Sequence, residues 1–347
     1  MSSSKHILVV GTGLAGLTMS IRLIEQGAKV TTIGPSNNDC TSIAAGMITP
    51  LVFRRMTKSW RVDEFLPSLV SFYRIVEEDS GVSFFRPIQI RRVFSSEQER
   101  QLWESKQPQA AFQDYMNALT QEDDDYDLVP NKFGSGRVKN AYTVESAKYL
   151  AACRKWLNVR GDVLPHVFDY DQLNELEYDG IIYDDIVFCE GYGVQANPWF
   201  NDLPISPTKG DVLTIESEKL SQEETINRKC FVLPQGNGQF KIGSTYEWNT
   251  VDLSLSKKSR DEIIQNFTAL TSIDPTVVGH VCGIRPTTKD RRPIMGTHLT
   301  NSHYHIFNGL GAKGFMLAPL LAQEFSEYLI CNKPLNKEVD LRRHMKK

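Results

Sequence analysis

The sequence predicts an α/β fold, in which a discontinuous Rossmann-like domain carries an inserted α+β unit built on an antiparallel sheet. Three observations carry this. A strand, glycine turn, helix and second strand open the chain between Lys5 and Ile33. A second apolar run, Asp185-Ile-Val-Phe-Cys-Glu-Gly191, returns far downstream to the same sheet. Between that run and a closing strand-turn-helix at Tyr304 to Ile330 lies a strand-rich block from Asp211 to Ile284. Length agrees, since 347 residues bury a large core and suit one large or two modest domains.

The opening unit is the most specific. Ile7 to Val10 reads as a buried parallel strand. In the turn after it, Gly11 makes the tight bend, Gly13 lets backbone approach a pyrophosphate, and Gly16 lets the helix pack on the sheet. Leu14 and Ala15 begin that helix; Leu14, Leu17, Ile21 and Ile24 share one face, and Gly27 closes it. Val30 to Ile33 is the second strand. The fingerprint usually ends there with an acid that binds the adenosine ribose, but Gly34 stands in its place. Ribose contacts then fall to Ser36, a nearby Asn (37 or 38) or the backbone.

Composition excludes several classes. Basic residues number 39 against 42 acidic ones, a net charge of -3, so no global field recruits nucleic acid or anionic membrane. The basic tail from Leu341 to Lys347 reads as a solubilising end. The six cysteines show no Cys-x-x-Cys spacing and the histidines no His-x-x-x-His pair, so neither zinc nor another metal site, nor a disulfide framework, is expected. His303 and His305 alternate on an expected strand and read as structural. No signal peptide or membrane span is expected, and the chain reads as cytoplasmic.

Along the chain, Thr41 to Pro50 is a run of small residues suited to close backbone approach. Val62 to Ser80 has helical spacing in Phe65, Leu66, Leu69, Phe72, Tyr73 and Val76. Phe84 to Phe94 is an expected strand, Glu97 to Leu119 helices, and Val144 to Asn158 a helix with Glu145 in its first turn. The acidic run Glu122 to Asp127 lacks the glycine and distal Glu of a calcium loop and reads as a solvated turn. Strands are expected at Gly161 to Leu164, Ile181 to Glu190, Asp211 to Glu216, Lys229 to Leu233, Gln239 to Gly243 and Val277 to Ile284. A hairpin turn is expected at Gly236-Asn-Gly238 and a helix at Lys257 to Leu270. Finally Asn308-Gly-Leu-Gly-Ala-Lys-Gly314 precedes a helix from Phe315 to Ile330. Backbone amides there, reinforced by Lys313, suit negative charge.

In this order the motifs resemble the FAD-dependent amine oxidase family of D-amino acid oxidase, glycine oxidase and sarcosine oxidase. They are Gly11-x-Gly13-x-x-Gly16, Thr41-Ser-Ile-Ala-Ala-Gly46, Ile186 to Gly191, Pro207-Thr-Lys-Gly210, Phe231-Val-Leu-Pro234 with Ile242 to Tyr246, Gly283-Ile-Arg-Pro286 with Asp290 and Pro293, and Gly309 to Gly314. The resemblance implies an FAD domain of residues 1–84, 141–204 and 284–347, and a substrate domain of 85–140 and 205–283. It implies FAD held non-covalently, Cys282 standing displaced from the attachment position of sarcosine oxidases. By position, Gly11, Gly13, Leu14, Ala15 and Gly16 would hold the pyrophosphate, with Gly34 and Ser36 near the ribose. Thr41, Ser42, Ala44, Ala45, Gly46 and Met47 would line the flavin, and Val167 and Gly191 the adenosine or ribitol. Gly309, Leu310, Gly311, Ala312, Lys313 and Gly314 would face the pyrimidine edge, where reduced flavin is negative.

Arg285 matches the family arginine that pairs with substrate carboxylate, and it also lies beside the flavin. Its planar fork binds a carboxylate bidentately and fixes the α-hydrogen toward the flavin. The alternative is a structural arginine paired with Asp290. Phe231 stands where glycine oxidases carry a tyrosine; Tyr246 either supplies a hydroxyl instead or is core. Phe53, Arg54, Phe231, Tyr246 and Trp248 are expected to set pocket size.

The implied activity is oxidation of the C–N bond of a small amine or amino acid (glycine, an N-alkylglycine or a D-amino acid), with oxygen or another electron acceptor. The same arginine and glycine turn are similar to the oxidase domain of the bifunctional methylaminomethyl-uridine tRNA modification enzyme. That implies a second substrate, a carboxymethyl group on a tRNA wobble uridine. A non-enzymatic nucleotide-binding scaffold is the third reading.

Overall fold

The computed structural model describes residues 4–36, 39–124 and 129–344. Its smaller sheet has six strands, in the order Ile294–Thr297, Tyr304–Asn308, Asp185–Phe188, His6–Val10, Lys29–Ile33 and Asp162–Leu164. All neighbours are parallel except Ile294–Thr297, which pairs antiparallel with Tyr304–Asn308. The strand Asp185–Phe188 does return beside the first strand, as its apolar run predicts.

Alternation along the first strand feeds two cores. Ile7 and Val9 join a cluster with the helices Leu14–Glu25, Val62–Ser80, Ser146–Arg160 and Gly314–Cys331. Leu8 and Val10 face the other way, onto Phe168, Tyr178, Tyr183 and Phe200. A strand whose whole length is apolar is what a sheet covered on both faces requires. Gly11 has φ of 123°, and a Cβ there would sit 2.4 Å from the Cys189 carbonyl oxygen. A Cβ on Gly16 would lie 1.7 Å from the Gly11 carbonyl oxygen, so the helix reaches the sheet only without a side chain.

The larger sheet has nine strands. Its site-bearing part runs from Thr276–Thr288 through Ile205–Glu216, Gln239–Gly243 and Phe231–Gly236 to Glu224–Asn227. These neighbours are antiparallel. Glu224–Asn227 then pairs parallel with Phe85–Val93, so the sheet is mixed at one place and antiparallel elsewhere. The helix Lys257–Thr268 packs Ile263 and Phe267 against the back of this sheet. The turn Gly236 to Gly238 joins two of its strands, as its glycines predict.

Several expectations are corrected. Only Glu97–Lys106 of the stretch 97–119 is helical, capped by Ser96, whose hydroxyl accepts the Glu99 amide. Glu145 precedes the helix Ser146–Arg160 rather than entering its first turn. Asp123 is fully buried between Arg91 and Arg137, both at 3.1 Å, so the acidic run is not a wholly solvated turn. A buried guanidinium needs its counter-charge, and Asp123 supplies it. Residues 125–128 of that run, like 345–347 of the tail, lie outside the described residues. His303 sits in the turn before the strand, not on it; it and His305 both contact Asp185. The expected boundaries after residues 140 and 283 fall inside the strands Ser135–Val144 and Thr276–Thr288. Among the described residues no helix is long and apolar enough to cross a membrane.

The helix Val62–Ser80 pins the start of Gly314–Cys331 through Tyr73, whose buried hydroxyl donates to the Phe315 carbonyl at 2.6 Å. Tyr73→Phe is expected to lower unfolding free energy by about 1 kcal/mol, read from the shifted midpoint of a urea melt at unchanged slope.

Candidate functional site

Two cavities meet at the carboxyl ends of the smaller sheet. One, of about 520 Å³, is floored by the turn from Gly11 to Ala15 and walled by Gly34, Val167, Phe168, Tyr170, Glu190 and Gly191. Gly13 gives the helix Leu14–Glu25 no side-chain cap; Thr41 Oγ1 accepts the Leu14 amide at 3.2 Å, and the helix start faces this space. That is an anion site made of backbone. The cavity has no lysine or arginine, and Glu190 is its one acid among the described residues. Asn197 donates to Glu190 Oε2 at 2.8 Å and Tyr170 donates to Oε1, while burial pushes the carboxyl up against those bonds.

The second cavity, of about 350 Å³, lies between the larger sheet and the small-residue segment. Leu14, Cys40, Thr41, Gly311 and Gly314 line both, so the two cavities adjoin along these residues. Its described lining holds no Asp or Glu, and three cations: Arg285, Lys313 and Lys229.

Register places Arg285. It is opposite Thr208, two residues from Gly210, on the longest strand pair of the sheet. Its guanidinium folds back across Gly210, where a Cβ would lie 2.1 Å from Nη1. Nη1 donates to the Thr245 carbonyl at 3.3 Å and Nη2 to Ser244 Oγ at 3.1 Å. The Tyr246 ring stacks 4.6 Å from the guanidinium carbon, a cation–π contact. Asp290 is not its partner: that carboxylate takes Arg343 Nε at 3.2 Å instead. Among the described ion pairs no carboxylate meets Arg285. Behind it, Thr245 Oγ1 donates to buried Asp211 Oδ2 at 3.2 Å, and Asp211 Oδ1 bonds His280 at 2.8 Å.

Lys313 stands at the other side. Its half-buried ammonium donates to Ser59 Oγ, and burial, aided by Arg291, pushes its pKa down to about 8. Gly309 and Gly311, both at positive φ, bend the turn that starts the helix Gly314–Cys331.

Most sequence-predicted residues converge on this space. Gly11, Gly13, Leu14, Ala15, Gly34, Val167, Gly191 and Leu310 line the larger cavity. Ala44, Ala45, Gly46, Met47, Tyr246, Arg285, Ala312 and Lys313 line the smaller one. Four of them line neither: Gly16 and Gly309 serve close packing around it, Ser42 is half-buried in the helix Asp39–Ile43, and Ser36 is exposed with its carbonyl bonded to Arg154. Asn37 and Asn38, the other ribose candidates, lie outside the described residues. Tyr246 is 54% exposed and so is not core. Of the expected size-setting residues only Phe231 and Tyr246 reach the cavity; Phe53 packs under Arg92 and Trp248 is exposed. Sequence reasoning missed Glu190, Asn227 and Lys229. Glu190 carried a signal, being the acid that ends the returning strand.

The family profile described as FAD dependent oxidoreductase (DAO) matches residues 6–328. The chain belongs to this family. It is 22% identical to a glycine oxidase of Bacillus licheniformis over 94% of this chain and 93% of that protein. It is 20% identical to a tRNA 5-methylaminomethyl-2-thiouridine biosynthesis bifunctional protein of Leptospira interrogans, over 98% of this chain but only 60% of that longer protein. The fold is that of the crystal structure of glycine oxidase from Geobacillus kaustophilus, with a TM-score of 0.82, 17% identity, and 99% and 100% of the two chains covered.

The cofactor of this oxidoreductase is FAD. The residues present fit it: a helix start with no cap from Gly13 for a pyrophosphate, two adjoining cavities, and no acid among the described residues lining the half walled by the larger sheet.

Lys313 makes the flavin-free protein sensitive to pH. Its folded pKa is below the unfolded one, so the penalty of burying its charge is fully present below about pH 8. Stability of flavin-free protein is therefore expected to rise as pH climbs from about 8 toward 10.5, and Lys313→Met to flatten that rise in urea melts.

Proposed function

We propose that this FAD-dependent oxidoreductase oxidises the C–N bond of a small amine or amino acid carrying an α-carboxylate, such as glycine, an N-alkylglycine or a D-amino acid, with oxygen as the acceptor. The observation that carries the reading is Arg285, a guanidinium with no carboxylate partner among the described residues, in a cavity whose described lining holds no acid and which adjoins the nucleotide cavity.

The residues divide the work. Thr245 and Ser244 occupy one edge of the guanidinium and Tyr246 one face, which leaves the remaining donors for a carboxylate in bidentate geometry. Holding that carboxylate fixes the rotation of the α-carbon, so orientation supplies most of the rate and no side-chain base is needed. FAD, when bound, supplies the hydride acceptor. Lys313 and the turn of residues 309–314 would then hold the negative charge that arrives. The cavity wall of Phe231, Val212 and Met47 keeps water from the carbon being oxidised.

The same reading assigns the cofactor-binding residues named in the sequence, held without a covalent bond, with Glu190 in place of the missing ribose acid. Cys282 is buried with its thiol on the Leu253 carbonyl, which argues against covalent attachment. It also divides the chain into an FAD part, on the smaller sheet, and a substrate part, on the larger.

Removing Arg285 tests it. Arg285→Ala is expected to lower kcat/KM for a carboxylate substrate by at least about 30-fold, followed as hydrogen peroxide release. Gly210→Ala, which places a methyl under the guanidinium, is expected to raise KM by about tenfold. Unchanged turnover in both would remove Arg285 from substrate binding; turnover without peroxide would replace oxygen as acceptor. Glu190→Gln is expected to weaken FAD binding by about tenfold, read by fluorescence titration of flavin-free protein.

The match to the tRNA-modifying relative supports a second reading, a carboxymethyl group on a wobble uridine. It would show as tRNA binding that falls steeply with salt, which a small-molecule oxidase lacks.

A further inference from the structure

The smaller cavity holds one cation more than a simple glycine or N-alkylglycine uses. Within the proposed function, Arg285 takes the α-carboxylate and Lys313 the flavin edge. Lys229 remains. It is exposed in the turn between the strands Glu224–Asn227 and Phe231–Gly236, lines the cavity, and among the described residues has no acidic partner.

Its position relative to Arg285 follows from register. Phe231 pairs with Gly243, and Gly243 with Val212, on the strand whose Gly210 lies under the Arg285 guanidinium. The turn bearing Lys229 is therefore about two strand spacings, roughly 10 Å, across the sheet from Gly210 and the guanidinium lying on it. The Phe231 ring leans over Gly243, with Cζ 3.5 Å from where a Cβ would stand, and floors the space between the two cations. Asn227 lines the same end. Its carbonyl accepts Arg92 at 2.7 Å, which turns the amide NH2 into the donor available there.

We propose that the substrate is a dicarboxylic amine. Its α-carboxylate sits on Arg285, its nitrogen and α-carbon over Phe231 toward the flavin, and its second carboxylate on Lys229 and the Asn227 amide. This deepens the proposed function and rests on it. The chemistry is unchanged: the ammonium first releases a proton to solvent, the α-hydrogen then leaves with its electron pair for FAD, the freed nitrogen lone pair forms the C=N bond of an iminium ion, and water hydrolyses that ion to an oxo acid and an ammonium product. Because Lys229 is exposed, its contribution is a preference of about tenfold that salt weakens, not an absolute requirement.

A matched pair of probes tests this on the FAD-loaded protein. Iminodiacetate and N-ethylglycine share the N-substituted glycine but differ in the second carboxylate. Anaerobic flavin bleaching is expected to half-saturate at about tenfold lower iminodiacetate than N-ethylglycine, with the gap closing at high salt. The ratio is expected to fall to near one in Lys229→Met and to survive in Lys229→Arg. Equal half-saturation in the unmodified protein, or a preference that persists in Lys229→Met, overturns the inference while leaving the proposed function standing. If neither compound reduces the flavin, the inference falls, and the proposed function is then decided separately by glycine, sarcosine, D-proline and D-alanine.

Discussion

The Arg285 guanidinium lies across the bare backbone of Gly210, with no carboxylate among the described residues to neutralise it. A partly buried cation held this way is costly, and the protein sustains it with a carbonyl, a hydroxyl and an aromatic face rather than with an opposite charge. Much of the larger sheet serves that one group. The antiparallel pairing of Ile205–Glu216 with Thr276–Thr288 sets the side chain two rows from the glycine it must cross. Asp211, buried behind the sheet on Thr245 and His280, fixes the segment that supplies the carbonyl. An Asp or Glu in the cavity would pair Arg285 internally and close it to the carboxylate of the proposed substrate.

The proposed cofactor half would work by the opposite device. There the charge would be borne by backbone: a helix start with no cap from Gly13 and its Leu14 amide on Thr41, with no room for a Cβ at Gly11 in the turn or at Gly16 in the helix. The halves are not independent, because Thr41 and Gly311 line both cavities, and the helix starting at Gly314 is anchored through Tyr73 to the core beneath. A side chain in the core thus acts on the position of Lys313.

Legibility in the sequence followed the range of the interactions. The opening glycine turn is local, spaced by helix and strand geometry, and read correctly down to the packing role of Gly16. The return of Asp185–Phe188 to the first strand was legible because a strand covered on both faces carries a continuous apolar run, here Ile186 to Phe188. What escaped was set by pairing between distant segments. Asp290 is close to Arg285 in sequence, yet the strand carries Arg285 away and leaves Asp290 to Arg343. Asp123 looked like one of a solvated acidic run, but two arginines from other strands bury it. Lys229 and Asn227 are ordinary in sequence and become part of the site only through a hairpin whose register composition does not reveal.

The central claim is that this flavin is reduced by a carboxylate-bearing small amine. Anaerobic mixing of the yellow FAD-loaded protein with glycine, sarcosine, D-proline and D-alanine tests it most directly, because the acceptor plays no part. The account predicts that at least one of these amines bleaches the oxidised-flavin absorbance at a saturable rate. Bound flavin that stays oxidised with all of them contradicts it.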